Sequence, residues 1–128
     1  MRIAVTGGTG FVGRHVAARL AAAGHEVVLV ARGVDRSPAA AEVAGRAAVA
    51  SVRAGVGDRD ALKAAFAGCD AVVHAAGINR EVGAQTFAAV HVQGTANVVA
   101  AAEAVGAAHL TLVSFLRARP SCGSTYHE

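Results

Sequence analysis

The chain has 128 residues, about the length of one domain, and carries a net charge of +3. Hydrophobic residues make up 54% of it and charged residues 16%, a composition typical of a packed globular protein that excludes an intrinsically disordered chain. The basic residues are scattered without interleaved aromatics, so we expect no nucleic-acid partner. The sequence has neither a signal-peptide pattern nor a run of about 18 residues free of charge and glycine, which predicts no membrane span and a cytoplasmic location.

The first part of the sequence predicts a strand, a helix and a second strand. Residues 2–6 form a short β-branched run, and residues 11–23 carry apolar side chains at helical spacing. Gly24 is typical of a helix end. Residues 26–31 are almost continuously apolar, as in parallel strands that are buried on both faces. After a polar turn we expect a short helix at 39–44.

The same alternation of strands and helices continues to residue 114. The predicted elements are a strand at 49–54, a helix that Asp58 caps and that runs through Phe66, a strand at 71–74, a long helix at 86–105 and a strand at 109–114. Residues 115–128 predict a loop. Alternating strands and helices imply right-handed crossovers, so we predict a doubly wound α/β fold whose parallel sheet has the order 3-2-1-4-5.

A glycine-rich loop joins the first strand to the first helix. Gly7 allows a sharp turn, Gly10 leaves room for a phosphate beside the backbone, and Gly13 lets the helix pack closely. The helix start at Phe11 and Val12 offers unpaired N–H groups and the positive end of the helix dipole. This loop predicts a site for the pyrophosphate of a nicotinamide dinucleotide, the alternative being a tight turn without a ligand.

The end of the second strand distinguishes the two nicotinamide cofactors. A carboxylate there holds the ribose hydroxyls of NAD, whereas an arginine accommodates the 2′-phosphate of NADP. This sequence has Arg32 at that point, and the turn that follows the strand has no carboxylate before Asp35. We therefore favour NADP(H) as the cofactor, with NAD(H) as the alternative. Arg32 could otherwise be a solvated surface arginine without a ligand.

Histidine and cysteine residues give no sign of a metal site. The six histidines have no HxxxH or HxH spacing, and Cys69 and Cys122 form neither a CxxC pair nor a zinc spacing. We interpret His74, which closes the fourth strand, as a packed or ribose-facing side chain. No metal is therefore expected.

Several motifs together resemble the extended and atypical short-chain dehydrogenases/reductases, the NAD-dependent epimerase/dehydratase group. In chain order they are Thr6 to Gly13, Gly24-His25-Glu26-Val27, Gly57-Asp58, His74-Ala75-Ala76-Gly77 and Gly94-Thr95-x-Asn97. Residues 77–81, 86–87 and 91–95 resemble more closely the atypical branch of the NADPH-binding accessory subunit of respiratory complex I.

The resemblance implies further cofactor contacts. Asp58 would accept a hydrogen bond from the adenine amino group, with Val56 or the glycine after it lining the ring; Asp58 also suits a plain helix cap. After the fourth strand, a loop of small residues would lie against the ribose and pyrophosphate; its residues are Ala75, Ala76 and Gly77.

The resemblance also implies catalytic residues. The family uses a tyrosine with a lysine four positions later and a serine or threonine after the fifth strand. Tyr126 and Ser114 are the candidates here. They would polarise the oxygen of a substrate carbonyl, whose carbon exchanges a hydride with the nicotinamide. His91 stands where many relatives have an asparagine. The lysine position would fall past Glu128, so we expect a truncated catalytic region and no turnover by this chain. The substrate would be a small molecule, which the sequence does not identify.

Two functions stay open at this point. One is the cofactor half of an NADP-dependent oxidoreductase or epimerase/dehydratase, and the other is a dinucleotide-binding module with a structural or redox-sensing role. Residues 1–114 would form the NAD(P)-binding Rossmann domain and residues 115–128 a loop or tail. The fifth strand would leave an exposed sheet edge, through which we expect self-association.

Overall fold

The computed structural model describes residues 1–34, 49–116, 118–124 and 126. In these residues five parallel strands form one sheet with the order β3-β2-β1-β4-β5. The predicted doubly wound α/β fold and its strand order are confirmed.

The sheet is built from short strands that alternate with helices along the chain. The strands are β1 (Arg2–Thr6), β2 (Glu26–Ala31), β3 (Val49–Arg53), β4 (Ala71–His74) and β5 (His109–Leu112). The helices are α1 (Phe11–Ala22), α2 (Arg59–Phe66) and α3 (Gly94–Ala104), and a π-helical segment (Ala88–Gln93) leads directly into α3.

Helix α1 and strands β3 and β5 end earlier than the sequence predicts. Helix α1 ends at Ala22, because the chain turns at Gly24, whose φ is +84°. Strand β3 ends at Arg53, one residue early. Strand β5 ends at Leu112, so Ser114 lies two residues beyond it and does not end the strand as expected. The short helix predicted at 39–44 lies outside the described residues.

The long helix predicted at 86–105 has two parts. Its start is capped twice: Glu81 Oε1 accepts the Phe87 N–H at 2.7 Å, and Thr86 Oγ1 accepts the Ala89 N–H at 3.0 Å. The first six residues then form the π-helical segment before α3 begins at Gly94. A π-helical turn inside a helix is uncommon and is found frequently at functional sites.

The central strands are buried on both faces. In β1, Ala4 belongs to the apolar layer around Phe66 of α2, and Val5 belongs to the layer that contains Ala17 of α1. Strand β2 alternates in the same way, with Val28 and Leu29 on opposite layers. The continuous apolar run of residues 26–31 is therefore the pattern of a strand between two helical layers.

Strand β5 differs from the central strands because it lies at an edge of the sheet. It pairs with β4, and most of its residues are exposed. Apolar side chains that follow it are exposed too, among them Val113, Phe115 and Leu116. In the described part of the chain, no helix has both the length and the apolar character needed to cross a membrane.

Candidate functional site

A cavity of about 660 Å³ opens at the carboxyl ends of β1, β2 and β4. Strands β1 and β4 are neighbours in space while the chain passes through β2 and β3 between them, so this is the point where the strand order reverses. Ligands of open α/β sheets bind at that point. The predicted cofactor residues in the cavity wall are Gly7, Gly10, Arg32, Ala75, Ala76 and Gly77.

The glycine loop is held by close backbone contacts. Gly7 has φ +67°, and a Cβ there would stand 2.7 Å from the backbone N and Cα of Ala76. A Cβ at Gly13 would overlap the carbonyl oxygen of Gly7. At Gly10, by contrast, the only neighbour of a Cβ within 4 Å is Gly7 O, at 3.1 Å. Two glycines therefore hold the turn tight, and the third lines the cavity without a side chain and with a single close neighbour.

The start of α1 offers backbone donors beside this turn. Gly10 is the N-cap and has no side chain to bond the first turn, and the first helical bond runs from Arg14 N–H to Gly10 O at 3.0 Å. The amides of Phe11 and Val12 precede that bond, so they are the groups that a helix start presents to an anion. The Phe11 side chain is 74% exposed, and neither residue lines the cavity, so only their backbone can contribute.

Arg32 and Asp58, two predicted cofactor contacts, differ in their position relative to the cavity. Arg32 is exposed and lines the cavity, and its Cγ would be 3.2 Å from a Cβ at Gly55. Asp58 caps α2, where its Oδ1 accepts the Ala61 N–H at 3.0 Å. Asp58 is not part of the cavity wall, whereas Val56 is. The cap role that the sequence allowed for Asp58 is confirmed.

A buried hydrogen-bonded chain lies directly behind the cavity. Thr6 Oγ1 is 2.6 Å from His74 Nδ1, and His74 Nε2 is 3.1 Å from Thr95 Oγ1. His74 is 1% exposed, as expected of a packed histidine. Burial, with a smaller contribution from His91, lowers the pKa of His74 to about 4. The imidazole is therefore neutral at physiological pH, with one ring nitrogen donating and the other accepting.

Tyr126 belongs to a group of packed rings that we call the aromatic cluster, which consists of Phe87, His91, Phe115 and Tyr126. The Tyr126 ring lies 4.6 Å from that of Phe115 and 5.5 Å from that of Phe87, measured between ring centroids. The Tyr126 hydroxyl donates to Asn79 Oδ1 at 3.1 Å. His91 Nε2 accepts the N–H of Ile78, a cavity residue, at 3.1 Å. The cluster thus packs against the wall of the cavity.

The two predicted catalytic residues are placed differently. Tyr126 is connected to the cavity wall through the aromatic cluster, whereas Ser114 is exposed and does not line the cavity. The aromatic cluster has no signature in the sequence, because its members come from separate segments of the chain. Within the described ranges, no group of three or more His, Cys, Asp or Glu side chains could hold a metal ion.

Comparison with known proteins identifies the family. Residues 3–116 match the model of the NAD dependent epimerase/dehydratase family. The chain belongs to this family. The match covers the described strands and helices except Arg2, the first residue of β1.

Individual relatives agree with this assignment. An uncharacterized protein of Mycobacterium tuberculosis is 36% identical over 115 residues, which are 89% of this chain and 12% of that protein. The structure of UDP-glucose-4-epimerase from Stenotrophomonas maltophila with bound NAD superposes with a TM-score of 0.75 at 27% identity, over 97% of this chain and 40% of that one. A Bacillus halodurans protein assigned to the NAD-dependent epimerases/dehydratases gives a TM-score of 0.81 at 29% identity, over 99% and 59% of the two chains. The chain therefore spans only part of the length of the relatives it matches.

Proposed function

We propose that this chain binds a nicotinamide dinucleotide and serves as the cofactor domain of an epimerase/dehydratase-like or reductase-like short-chain dehydrogenase. The observation that carries the proposal is the cradle at the ends of β1 and β4. There the turn at Gly7 packs against Ala76, and Gly10, which has no side chain, lines a cavity of 660 Å³. Family membership and the NAD bound by the related epimerase support the same ligand class.

The residues of the cavity suit the parts of such a ligand. The pyrophosphate would lie against Gly7, Gly10 and the backbone amides of Phe11 and Val12, since a helix start favours anions. Gly13 would act indirectly, by letting α1 approach the turn. The other proposed contacts are Ala75, Ala76 and Gly77 on the ribose side, and Val56 with Asp58 on the adenine side. When bound, the nicotinamide ring supplies the donor or acceptor for hydride transfer.

We further propose a preference for NADP(H) over NAD(H). The support is the position of Arg32, an exposed cation in the cavity wall directly after β2. A guanidinium suits a phosphate, which accepts charge-assisted hydrogen bonds, better than it suits two ribose hydroxyls. Asp35, the nearest following carboxylate, lies outside the described residues.

For catalysis we propose Tyr126 as the residue that exchanges a proton with the substrate oxygen and Ser114 as a second polarising group. The support for Tyr126 is its hydroxyl bond to Asn79 and its packing near Gly77 and Ile78 through His91. The family's lysine stands four positions after the tyrosine, which would be position 130 and lies outside these 128 residues. We therefore expect these 128 residues by themselves to bind the cofactor without turnover.

The second candidate function is a dinucleotide-binding module with a structural or redox-sensing role, as the resemblance to the complex I accessory subunit suggests. The observation that favours it is the position of Ser114, the predicted second polarising group, which is exposed and does not line the cavity. The two candidates share the cofactor site and differ in turnover. For either one, we propose residues 1–114 as the cofactor domain and residues 115–128 as its tail.

Calorimetric titration of the chain with NADPH, NADH and NADP⁺ tests the cofactor site. We expect saturable binding that Gly10→Val abolishes, because its isopropyl group would fill the space beside the turn. Ala22→Val, which adds bulk at an exposed position of the same helix, is the control and should bind as the wild type does. Binding by Gly10→Val at wild-type affinity would contradict the proposed site. NADPH oxidation against a panel of carbonyl compounds would favour the enzyme over the binding module.

The cofactor preference has its own test. Arg32→Ala should weaken NADPH binding about tenfold, the loss of one charge-assisted contact, and leave NADH binding within about twofold. Arg19→Ala removes the same charge from the exposed last turn of α1 and should change neither affinity. Equal affinities of the wild type for NADH and NADPH would remove the proposed preference and leave the cofactor site itself intact.

A further inference from the structure

The segment Gly94–Asn97 begins α3 and is a sequence motif for which the proposed cofactor contacts give no role. Gly94 is buried, and a Cβ there would stand 2.6 Å from Val56 Cγ2. A side chain at position 94 would therefore displace Val56, a residue of the cavity wall. The glycine brings the start of α3 into direct contact with the Val56 side chain.

The same helical turn also holds the backbone of Val56. Asn97 Nδ2 donates to the carbonyl oxygen of Val56 at 3.0 Å, and Asn97 Oδ1 accepts a hydrogen bond from Gln93 Nε2 at 3.1 Å. The oxygen of the Asn97 amide therefore bonds to Gln93, and its NH₂ group bonds to Val56. Helix α3 thus holds Val56 at its side chain and at its carbonyl.

Val56 needs such external support because of its local sequence. It lies in a turn between β3 and α2, closed by a bond of 3.1 Å from Asp58 N–H to Gly55 O, and a glycine stands on each side of it. Glycines add backbone freedom, so the turn on its own would sample several positions of Val56. The bond from Asn97 removes that freedom before a ligand arrives, which reduces the entropy lost on binding.

We propose that Asn97 is a positioning residue that fixes Val56 against the purine ring of the bound dinucleotide and so sets the affinity of the adenine subsite. This inference rests on the proposed function, because it takes the Val56 side of the cavity as the adenine side. Asn97 acts through Val56 and has no contact of its own with the ligand in this account. Its effect should therefore be confined to the adenine half of the cofactor.

NMR-monitored titrations of the protein with each half of the cofactor, 5′-AMP and nicotinamide mononucleotide, test this inference. Asn97→Asp keeps the shape and the acceptor for Gln93 but removes the donor to Val56 O. We expect it to weaken 5′-AMP binding about five- to tenfold, the effect of one lost hydrogen bond. Binding of nicotinamide mononucleotide, which carries the same phosphate charge, should change by less than about twofold. Gln93→Ala, the matched control, leaves the bond to Val56 in place and should retain AMP binding.

A general structural role would give a different result. Equal weakening of both fragments, or unchanged AMP affinity in a folded Asn97→Asp variant, would overturn the inference. If that variant does not fold, Val56→Ala tests the same wall: selective loss of AMP affinity supports the inference and unchanged affinity contradicts it. Failure of the wild-type chain to bind either AMP or a dinucleotide would instead contradict the proposed function as well.

Discussion

The glycine turn after β1 lines the cavity, the aromatic cluster around Tyr126 packs against the cavity wall, and the two are built in opposite ways. In the turn, backbone atoms of Gly7, Gly13 and Ala76 approach so closely that side chains are excluded. In the aromatic cluster, side chains separated by up to 39 positions make the contacts (126 minus 87). The turn also lies at the buried centre of the sheet, whereas two members of the cluster, Phe115 and Tyr126, follow the exposed strand β5. A site made by backbone proximity should tolerate substitution far less than one made by side-chain packing.

The largest expected effect comes from adding one methyl group at the turn. Gly13→Ala would place its Cβ into the carbonyl of Gly7, so we expect the free energy of unfolding to fall by about 3 kcal/mol or more, as for severe overpacking. Urea denaturation measures this. Gly57→Ala is the control, since no atom lies within 4 Å of a Cβ there, and it should change stability by about 0.5 kcal/mol or less. Similar losses in both variants would contradict the difference drawn between these glycines.

The second effect is an acid sensitivity located behind the turn. Burial lowers the pKa of His74 from 6.5 to about 4, so between these values the unfolded chain binds a proton that the folded chain does not. The free energy of unfolding should therefore fall as pH drops from 6.5 to 4, by up to about 3 kcal/mol, with no change from this group above 6.5. Denaturation at a series of pH values checks the slope. In His74→Gln this contribution should vanish; an identical slope in both proteins would show that His74 is not its source.

A smaller effect is expected in the aromatic cluster. Tyr126→Phe keeps the ring and removes the bond to Asn79 Oδ1, so the loss of stability should be about 0.5–1 kcal/mol. Tyr126→Ala should cost more, because the contacts with Phe115 and Phe87 are lost as well. Thermal denaturation ranks the two variants. A loss from Tyr126→Phe as large as that from Gly13→Ala would contradict the comparison between backbone and side-chain construction.

The smallest effect concerns association through β5. Its edge is exposed and followed by Val113, Phe115 and Leu116, so we expect weak self-association that raises the apparent mass in sedimentation experiments as protein concentration increases. Leu112→Lys places a charge on the exposed edge and should reduce this dependence. A wild-type chain that stays monomeric and melts at the same temperature at every concentration would contradict the prediction.

Local sequence patterns predict those parts of the structure that depend on neighbouring residues alone. Strands 26–31 and 71–74 have the predicted bounds, because a continuous apolar run of that length can only be buried between two layers. The three glycines of the turn are recognisable for a similar reason, since their spacing places a strand end, a turn and a helix start in one short segment. Asp58 as the cap of α2 follows from the same kind of local rule.

The remaining features depend on contacts between distant segments. The π-helical segment contains His91, which bonds to Ile78 thirteen positions earlier in the chain. The periodicity of the helix sequence does not predict this segment. The hydrogen bond from Asn97 to Val56 joins residues 41 positions apart, and the hydrogen bond between Thr6 and His74 joins residues 68 positions apart. The early end of β5 at Leu112 likewise reflects the length of β4, its only strand neighbour in the described sheet.

The most direct test of the account is the map of amide chemical-shift changes when NADPH is added to the ¹⁵N-labelled chain. We predict the largest changes in the glycine turn at Gly7 to Gly13, at Arg32, around Val56 and in the loop from Ala75 to Gly77, with little change along β5. NADH should perturb the same amides except those near Arg32. An absence of shifts at saturating cofactor, or shifts centred on β5 while the glycine turn is unchanged, would contradict the proposed dinucleotide site.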